Sequence, residues 1–143
     1  MSAVVVKRLY DKNRKNSELL DLQRRWHKNI IRGYGMNRFF HVNNIHNIAI
    51  YGYNEISVQL FDEVYGGDIK IPLIVDEKYK GVFNMLPECK FISMEELKNY
   101  NDIDAVIISE EDDYKNKMEA IQKYYSGIVT SIDRLVRINS GTD

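Results

Sequence analysis

The chain has 143 residues, a formal net charge of −1 at pH 7, 44% hydrophobic residues and 29% charged residues. These values are typical of one globular domain with its own core, and they exclude two full domains. No apolar run reaches the roughly 18 residues of a membrane-spanning helix, and the first residues lack a secretory layout, so we expect a cytoplasmic protein without a membrane span. The one cysteine, Cys89, excludes an intrachain disulfide and a thiolate zinc cluster.

The charge is distributed unevenly along the chain. Residues 1–47 contain ten Lys and Arg residues against three acidic ones, a net charge of +7, whereas the remaining residues carry −8. This pattern favours a basic arm that packs on an acidic body, either its own or that of a neighbouring subunit. No nucleic-acid-binding motif accompanies the basic residues, so we do not expect a nucleic-acid partner.

The first predicted element is a helix within a basic lead-in arm, residues 1–44. Ser17 is the predicted N-cap, and Gly33 is the predicted stop signal. Four apolar residues recur at helical spacing and form one stripe: Leu19, Leu22, Trp26 and Ile30. A second short helix is expected to hold Met36, Phe39 and Phe40.

From residue 45 onward, strand-like and helix-like segments alternate. The predicted strands are residues 48–51, 70–75, 88–92, 104–108 and 127–130. The predicted helices are residues 55–65, a helix capped by Ser93 with Glu96 completing a capping box, residues 113–125, and a last turn capped by Ser131. Pro72 predicts an edge-like or irregular position in the second strand. Because parallel strands need right-handed crossovers, we predict an α/β fold with a doubly wound, five-stranded parallel sheet over residues 45–137, followed by a tail, residues 138–143.

The turn after the first strand is the most informative candidate site. A dinucleotide-binding turn has the spacing G-x-G-x-x-G, and the three slots are occupied here by Gly52, Asn54 and Ser57. Asn54 occupies space where phosphate oxygens lie, although its amide is also able to donate to a phosphate. Glu55 competes with a bound anion at the helix N-terminus. Gly52, Tyr53, Asn54 and Glu55 are therefore the predicted phosphate turn, in an altered form.

Asp76 stands at the end of the second strand, 24 residues after Gly52. This is the position of the acid that binds a ribose hydroxyl, and it favours NAD or another nucleoside over NADP, whose 2′-phosphate would be repelled. Asp76 serves equally well as the first residue of a turn that needs no ligand. Both interpretations remain open on the sequence.

Ser109 follows the fourth strand at the same edge and is the sixth predicted binding residue. The four acidic residues after it, residues 110–113, favour either a solvated cap of the next helix or a Mg²⁺ site. They also make this edge unfavourable for a phosphate-rich ligand.

Catalytic groups are scarce in the sequence. None of the ten tyrosines is followed four residues later by the lysine that short-chain dehydrogenases use. His27, His41 and His46 precede the first strand, at the wrong end of the sheet for this chemistry, and Cys89 has no histidine near it in sequence. We therefore predict no catalytic residue and no metal.

The order of segments resembles that of a family. Ile48–Ile56, Ile74–Asp76 with Gly81, Leu86-Pro87, Ile92–Leu97 and Asp104–Ile108 are similar to the small Rossmann-like, CoA-binding-domain-type modules of bacterial surface-polysaccharide biosynthesis proteins. The resemblance covers roughly residues 45–137. It implies binding of NAD or a nucleotide-sugar, although family members usually have glycine at the positions of Asn54 and Ser57.

Two functions follow as hypotheses. The first is a non-catalytic or regulatory nucleotide-binding module of sugar-nucleotide or surface-polysaccharide metabolism. The alternative is a ligand-free interaction module with a degenerate nucleotide site, which forms a homo-oligomer through the N-terminal helix.

Overall fold

The computed structural model describes residues 3–82 and 85–139, with side chains in the first helix from Lys12 onward. The helices are α1 (Ala3–Ile31), α2 (Met36–Val42), α3 (Glu55–Val64), α4 (Tyr114–Gln122) and α5 (Ile132–Asn139). The strands are β1 (Asn47–Tyr51), β2 (Lys70–Val75), β3 (Lys90–Ile92), β4 (Ala105–Ile108) and β5 (Ile128–Ser131). Two short 3-10 helices span Glu77–Tyr79 and Met94–Asn99.

The five strands form one parallel sheet in the order β3-β2-β1-β4-β5. One apolar cluster contains side chains of α1, α2, α3 and α5, and a second contains Leu97 and Ile121 from the 94–99 helix and α4. Helices therefore cover both faces, which explains why all four residues of β4 are buried. The predicted α/β, doubly wound, Rossmann-like fold is confirmed.

The crossover after β1 passes over one face of the sheet, and the crossover after β4 passes over the other. The chain therefore diverges between β1 and β4, and a crevice forms outside their carboxyl ends. Ligands bind at this switch point in open α/β sheets. The fold itself thus marks the edge that carries Gly52 and Ser109.

The N-terminal arm contributes to the main core. Trp26 of α1 and Phe40 of α2 are at most 1% exposed and belong to the same cluster as the inner residues of α3. The indole Nε1 of Trp26 and the backbone N–H of Met36 both donate to the carboxylate of Glu63. This carboxylate ties α1 and α2 to α3.

Helix α1 differs from its prediction at both ends of the apolar stripe. It begins at Ala3, so Ser17 lies inside the helix, exposed, and the prediction of an N-cap there was wrong. Leu22 and Trp26 are buried, but Ile30 is 44% exposed and Asn29 is buried in its place. Each step of four residues along the helix exceeds a full turn by about 40°. Two such steps from Leu22 therefore rotate Ile30 away from the core, and the adjacent Asn29 faces the core instead. Gly33, at φ +83°, ends the helix as predicted.

Two other local predictions were wrong, and a third had left two alternatives open. The Ser93 helix is 3-10 and not α, and the Ser93 hydroxyl donates to Glu96 Oε1 (3.3 Å) without bonding to the backbone, so the capping box does not form. Pro72 lies in the central β2 rather than at an edge, and the irregular alternative is right, because the β1–β2 register shifts between Asn47 and Ala49. The predicted tail begins too early, since α5 continues to a buried Asn139.

Candidate functional site at the carboxyl edge of the sheet

A pocket of about 310 Å³ lies at the carboxyl ends of β1, β2 and β4. Four of the six predicted binding residues line it: Gly52, Asn54, Asp76 and Ser109. The side chain of Tyr53 instead packs edge-on against Tyr79 and Phe91 in the core. Glu55 lines a neighbouring cleft. The structure therefore brings together most, but not all, of the predicted site.

Position 52 requires glycine, both for its backbone conformation and for the space around it. Its φ is +97°, in the region that favours glycine, and a Cβ atom there would lie 2.7 Å from Ser109 Oγ. The Ser109 hydroxyl donates to the backbone carbonyl of Tyr51 at 2.8 Å. The turn after β1 and the end of β4 are therefore in close contact.

Asn54 caps α3 with its own side chain. Its Oδ1 accepts hydrogen bonds from the backbone N–H groups of Ile56 (2.9 Å) and Ser57 (3.1 Å), and the Ser57 hydroxyl accepts from Asn54 N at 2.7 Å. The N–H groups at a helix start are the donors that hold a phosphate in a dinucleotide site. At α3, the Asn54 oxygen occupies two of them.

Asp76 serves two backbone groups. Its Oδ2 accepts from the N–H of Tyr53 at 2.9 Å, and its Oδ1 accepts from the N–H of Lys78 at 3.0 Å. The first bond links the end of β2 to the turn after β1, and the second caps a short 3-10 helix. Asp76 therefore begins a turn, which is the role that needs no ligand. Each carboxylate oxygen has a further lone pair, so the geometry also permits a ribose hydroxyl to donate to Asp76.

Acidic residues after β4 are largely paired within the protein. Glu110 Oε1 accepts from Asn54 Nδ2 at 3.2 Å, Glu111 bonds Arg134 at 3.0 Å, and Asp112 pairs with Lys117 at 3.3 Å. Among the residues that the structure describes, no three His, Cys, Asp or Glu side chains are placed to hold a metal ion. Two residues of the run, Glu111 and Asp112, therefore serve as partners for basic side chains.

The pocket also contains residues that do not belong to the predicted phosphate turn or its following acid. Val75 and Met94 add apolar surface, and Lys117 and Glu77 add charge. Tyr51 also lines it, and burial, followed by the negative charges of Asp76 and Glu77, raises the pKa of its phenol. The Tyr51 hydroxyl therefore stays protonated at neutral pH. Tyr51 and Val75 end their strands, a sequence signal that would have identified them.

A second cleft, of about 550 Å³, lies between α1 and the same edge of the sheet. Asn54, Ser109 and Glu110 line both cavities and so separate them. Arg14 and Lys15 reach this second cleft from α1. The basic arm thus approaches the acidic edge of its own body.

No acid–base pair of the kind used in nucleophilic catalysis is visible in residues 12–82 and 85–139. The ring of His46 contacts Asn44 at 3.1 Å, that of His41 lies 3.9 Å from Asp68, and His27 is exposed. Cys89 is buried, and burial raises the pKa of its thiol to about 12.

Comparison of the chain with protein-family models, with curated proteins and with solved structures found no match. No described helix is both long enough and apolar enough to cross a bilayer. The geometry of the pocket is therefore the main indication of function.

Proposed function

We propose that this protein is a non-catalytic Rossmann-like module that binds the nucleoside part of a small ligand in the pocket at the carboxyl edge of its sheet. The observation that carries the proposal is the position of Asp76. Asp76 directly follows β2 and lines a pocket that also includes the glycine turn after β1. An acid in this place binds a ribose hydroxyl in dinucleotide-binding folds.

The pocket offers complementary surfaces to the two halves of a nucleoside. Asp76 supplies acceptor oxygens for a ribose, and the Tyr51 hydroxyl is a protonated polar group beside it. Val75 and Met94 provide the apolar surface on which a base would lie. Polar groups that orient a ligand beside an apolar surface are a feature of small-molecule sites.

The resemblance to modules of surface-polysaccharide biosynthesis makes NAD and nucleotide-sugars ligands to test, and adenosine and uridine test the nucleoside part without a 5′ phosphate. Thermal unfolding would be followed with NAD, CoA, a UDP-sugar, adenosine and uridine at millimolar concentration. A ligand that binds only the native state raises its midpoint. If none of the five raises the midpoint, the proposal is refuted.

Two matched variants locate the site. Asp76→Asn removes the charge but keeps an oxygen for one backbone N–H group, whereas Asp102→Asn removes an exposed charge elsewhere. We expect Asp76→Asn to weaken binding and Asp102→Asn to leave it unchanged. Equal binding by both variants would place the ligand outside the pocket.

A second candidate function is a homo-oligomeric interaction module, and the outer face of α1 favours it. Leu20 is 53% exposed and Ile31 is 71% exposed, and both lie opposite the buried Leu22 and Trp26. A second copy of the chain would cover these apolar side chains. Deletion of residues 1–40 would not test this, because it removes core side chains such as Trp26.

Point substitutions on the outer face give a cleaner test. The double variant Leu20→Ser with Ile31→Ser should lower the molar mass measured by sedimentation while the monomer keeps its native circular dichroism spectrum. The matched control is Leu22→Ser, which lies on the buried face of the same helix and should destabilise the fold. A wild-type protein that sediments as a monomer at high concentration would refute the oligomer.

A further inference from the structure

We infer that the ligand of this pocket carries an uncharged or cationic group, and not a phosphate, at the 5′ position of its nucleoside. This inference depends on the proposed function and narrows its ligand class. In a Rossmann-type site, the acid after β2 meets the ribose and the 5′ substituent faces the turn between β1 and α3. The residues at that turn therefore select the substituent.

The first observation is that the helix donors are occupied. Asn54 Oδ1 accepts from the N–H groups of Ile56 and Ser57 at 2.9 and 3.1 Å. Asn54 is itself held in place, because its Nδ2 donates to Ser109 Oγ at 2.7 Å and to Glu110 Oε1 at 3.2 Å. A phosphate at this position would have to displace an oxygen that already satisfies the helix start.

The second observation is the charge of the pocket wall. Asp76, Glu77 and Glu110 line the pocket, and Lys117 is the one basic residue among the lining residues that the structure describes. The Lys117 ammonium lies 3.3 Å from Asp112 Oδ1 and 3.2 Å from the Glu110 carbonyl, and its side chain is 19% exposed. Because its charge is already paired, the wall presents net negative charge.

The neighbouring cleft does not offer a phosphate a cationic site. The neighbouring cleft contains Arg14 and Lys15, but six carboxylates line it as well. They are Glu18, Glu55, Glu110, Glu111, Asp112 and Asp133. Three of these carboxylates are paired with basic side chains. The other three, Glu18, Glu55 and Glu110, still outnumber Arg14 and Lys15, so neither cavity that adjoins the turn is a cationic site.

The chemistry that fits is a nucleoside with a cationic or neutral 5′ substituent, such as an ammonium or a sulfonium. Glu110 lines the pocket, and its Oε1 accepts from Asn54 Nδ2 at the turn where this group would lie. A neutral substituent meets no repulsion, whereas a phosphate meets the carboxylates of Glu110 and Asp76. Ligand charge at this one position is therefore the property that the site discriminates.

The test compares three forms of one nucleoside that differ only at the 5′ position. Calorimetric titration at pH 7 and low salt would measure the 5′-amino-5′-deoxy form, the parent nucleoside and the 5′-monophosphate, for both adenosine and uridine. We expect the amine to bind tightest and the monophosphate weakest, with about tenfold or more between them. Higher salt should reduce that ratio, because salt screens the carboxylates.

Glu110→Gln keeps an acceptor for Asn54 and removes the charge, so it should reduce the ratio of amine to phosphate affinity. Glu119→Gln, on the exposed side of α4, is the matched control and should leave the ratio unchanged. A monophosphate that binds as tightly as the parent nucleoside, or more tightly, would overturn the inference and leave the proposed function standing. If no form of either nucleoside binds, the proposed function fails and the inference fails with it.

Discussion

The side-chain amide of Asn54 donates a hydrogen bond to the hydroxyl of Ser109 at 2.7 Å. This contact joins the start of α3 to the end of β4 across the switch point of the sheet. With its other atom, Oδ1, Asn54 caps α3. One side chain therefore shapes the pocket and completes the helix that borders it.

Replacing Asn54 with alanine should lower the free energy of unfolding by about 1 kcal/mol, because an N-cap is lost and two helix N–H groups lose their acceptor. Asn54→Ser is the matched control, since serine caps helices but does not reach Ser109. We expect a smaller loss for serine in urea unfolding. Equal losses for the two variants would show that the bond to Ser109, and not the cap, stabilises the turn.

Gly52→Ala should destabilise the protein by about 2 kcal/mol or more, because alanine is strained at φ +97° and its Cβ would lie 2.7 Å from Ser109 Oγ. Gly66→Ala has a similar φ, +86°, with no atom near the added Cβ, so it should cost only about 1 kcal/mol. Repeating Gly52→Ala in a Ser109→Ala background should recover part of the difference. Strict additivity of the two substitutions would contradict the close contact.

Trp26→Ala should lower the free energy of unfolding by about 3 to 5 kcal/mol, since the indole is 1% exposed within the main core. Leu20→Ala, on the exposed face of the same helix, should change it by less than about 0.5 kcal/mol. Chemical denaturation followed by circular dichroism measures both. A small effect of Trp26→Ala would mean that α1 does not pack on the body.

Asp104 makes stability depend on pH in the acid range. The backbone N–H groups of Asn47 (2.9 Å) and His46 (2.8 Å) donate to its Oδ2 and hold the pKa of its carboxyl below the ordinary value. Its contribution is therefore complete above the ordinary pKa of about 4 and is lost as the pH falls through the lower folded-state value. Asp104→Asn should be less stable than wild type at pH 6, and the two should converge in more acidic solution. A gap that persists at the acid end would contradict this assignment.

Cys89 should resist thiol reagents in the native protein. Burial raises the pKa of its thiol to about 12, so almost no thiolate is present at pH 8. Labelling with a chromogenic disulfide should be slow in buffer and fast in urea. Equal rates in the two conditions would show that the thiol is accessible.

Sequence patterns predicted the sheet well because parallel strands covered on both faces are nearly continuous apolar runs. The bounds of β2 agree at both ends, and the apolar residues Ile56, Leu60, Phe61 and Val64 of the predicted helix 55–65 are all buried. The prediction for α1 was too short, because Lys12 to Ser17 carry no apolar signal and Ser17 resembles a cap. Propensity alone does not show that a polar helical stretch continues an existing helix.

The candidate site was predicted in position but only partly in chemistry. Gly52, Asp76 and Ser109 follow strands, and the carboxyl ends of parallel strands share one edge. The Asn54 cap is a local bond to Ile56 and Ser57, which an N-cap pattern could have found. By contrast, the bond from Asn54 to Ser109 spans 55 positions and the pairing of Glu111 with Arg134 spans 23. Such partners are set by tertiary packing, which no local pattern records.

Hydrogen bonds between the N-terminal arm and α5 limit the order in which the chain can fold during its synthesis. Asn29 Nδ2 donates to the carbonyl of Val136, and Asn139 Nδ2 donates to that of Tyr34, across more than 100 residues in each case. Helix α1 leaves the ribosome first among the described elements, yet its packing surface is completed by the last of them. During synthesis, the apolar face around Trp26 therefore stays uncovered on that side until α5 emerges.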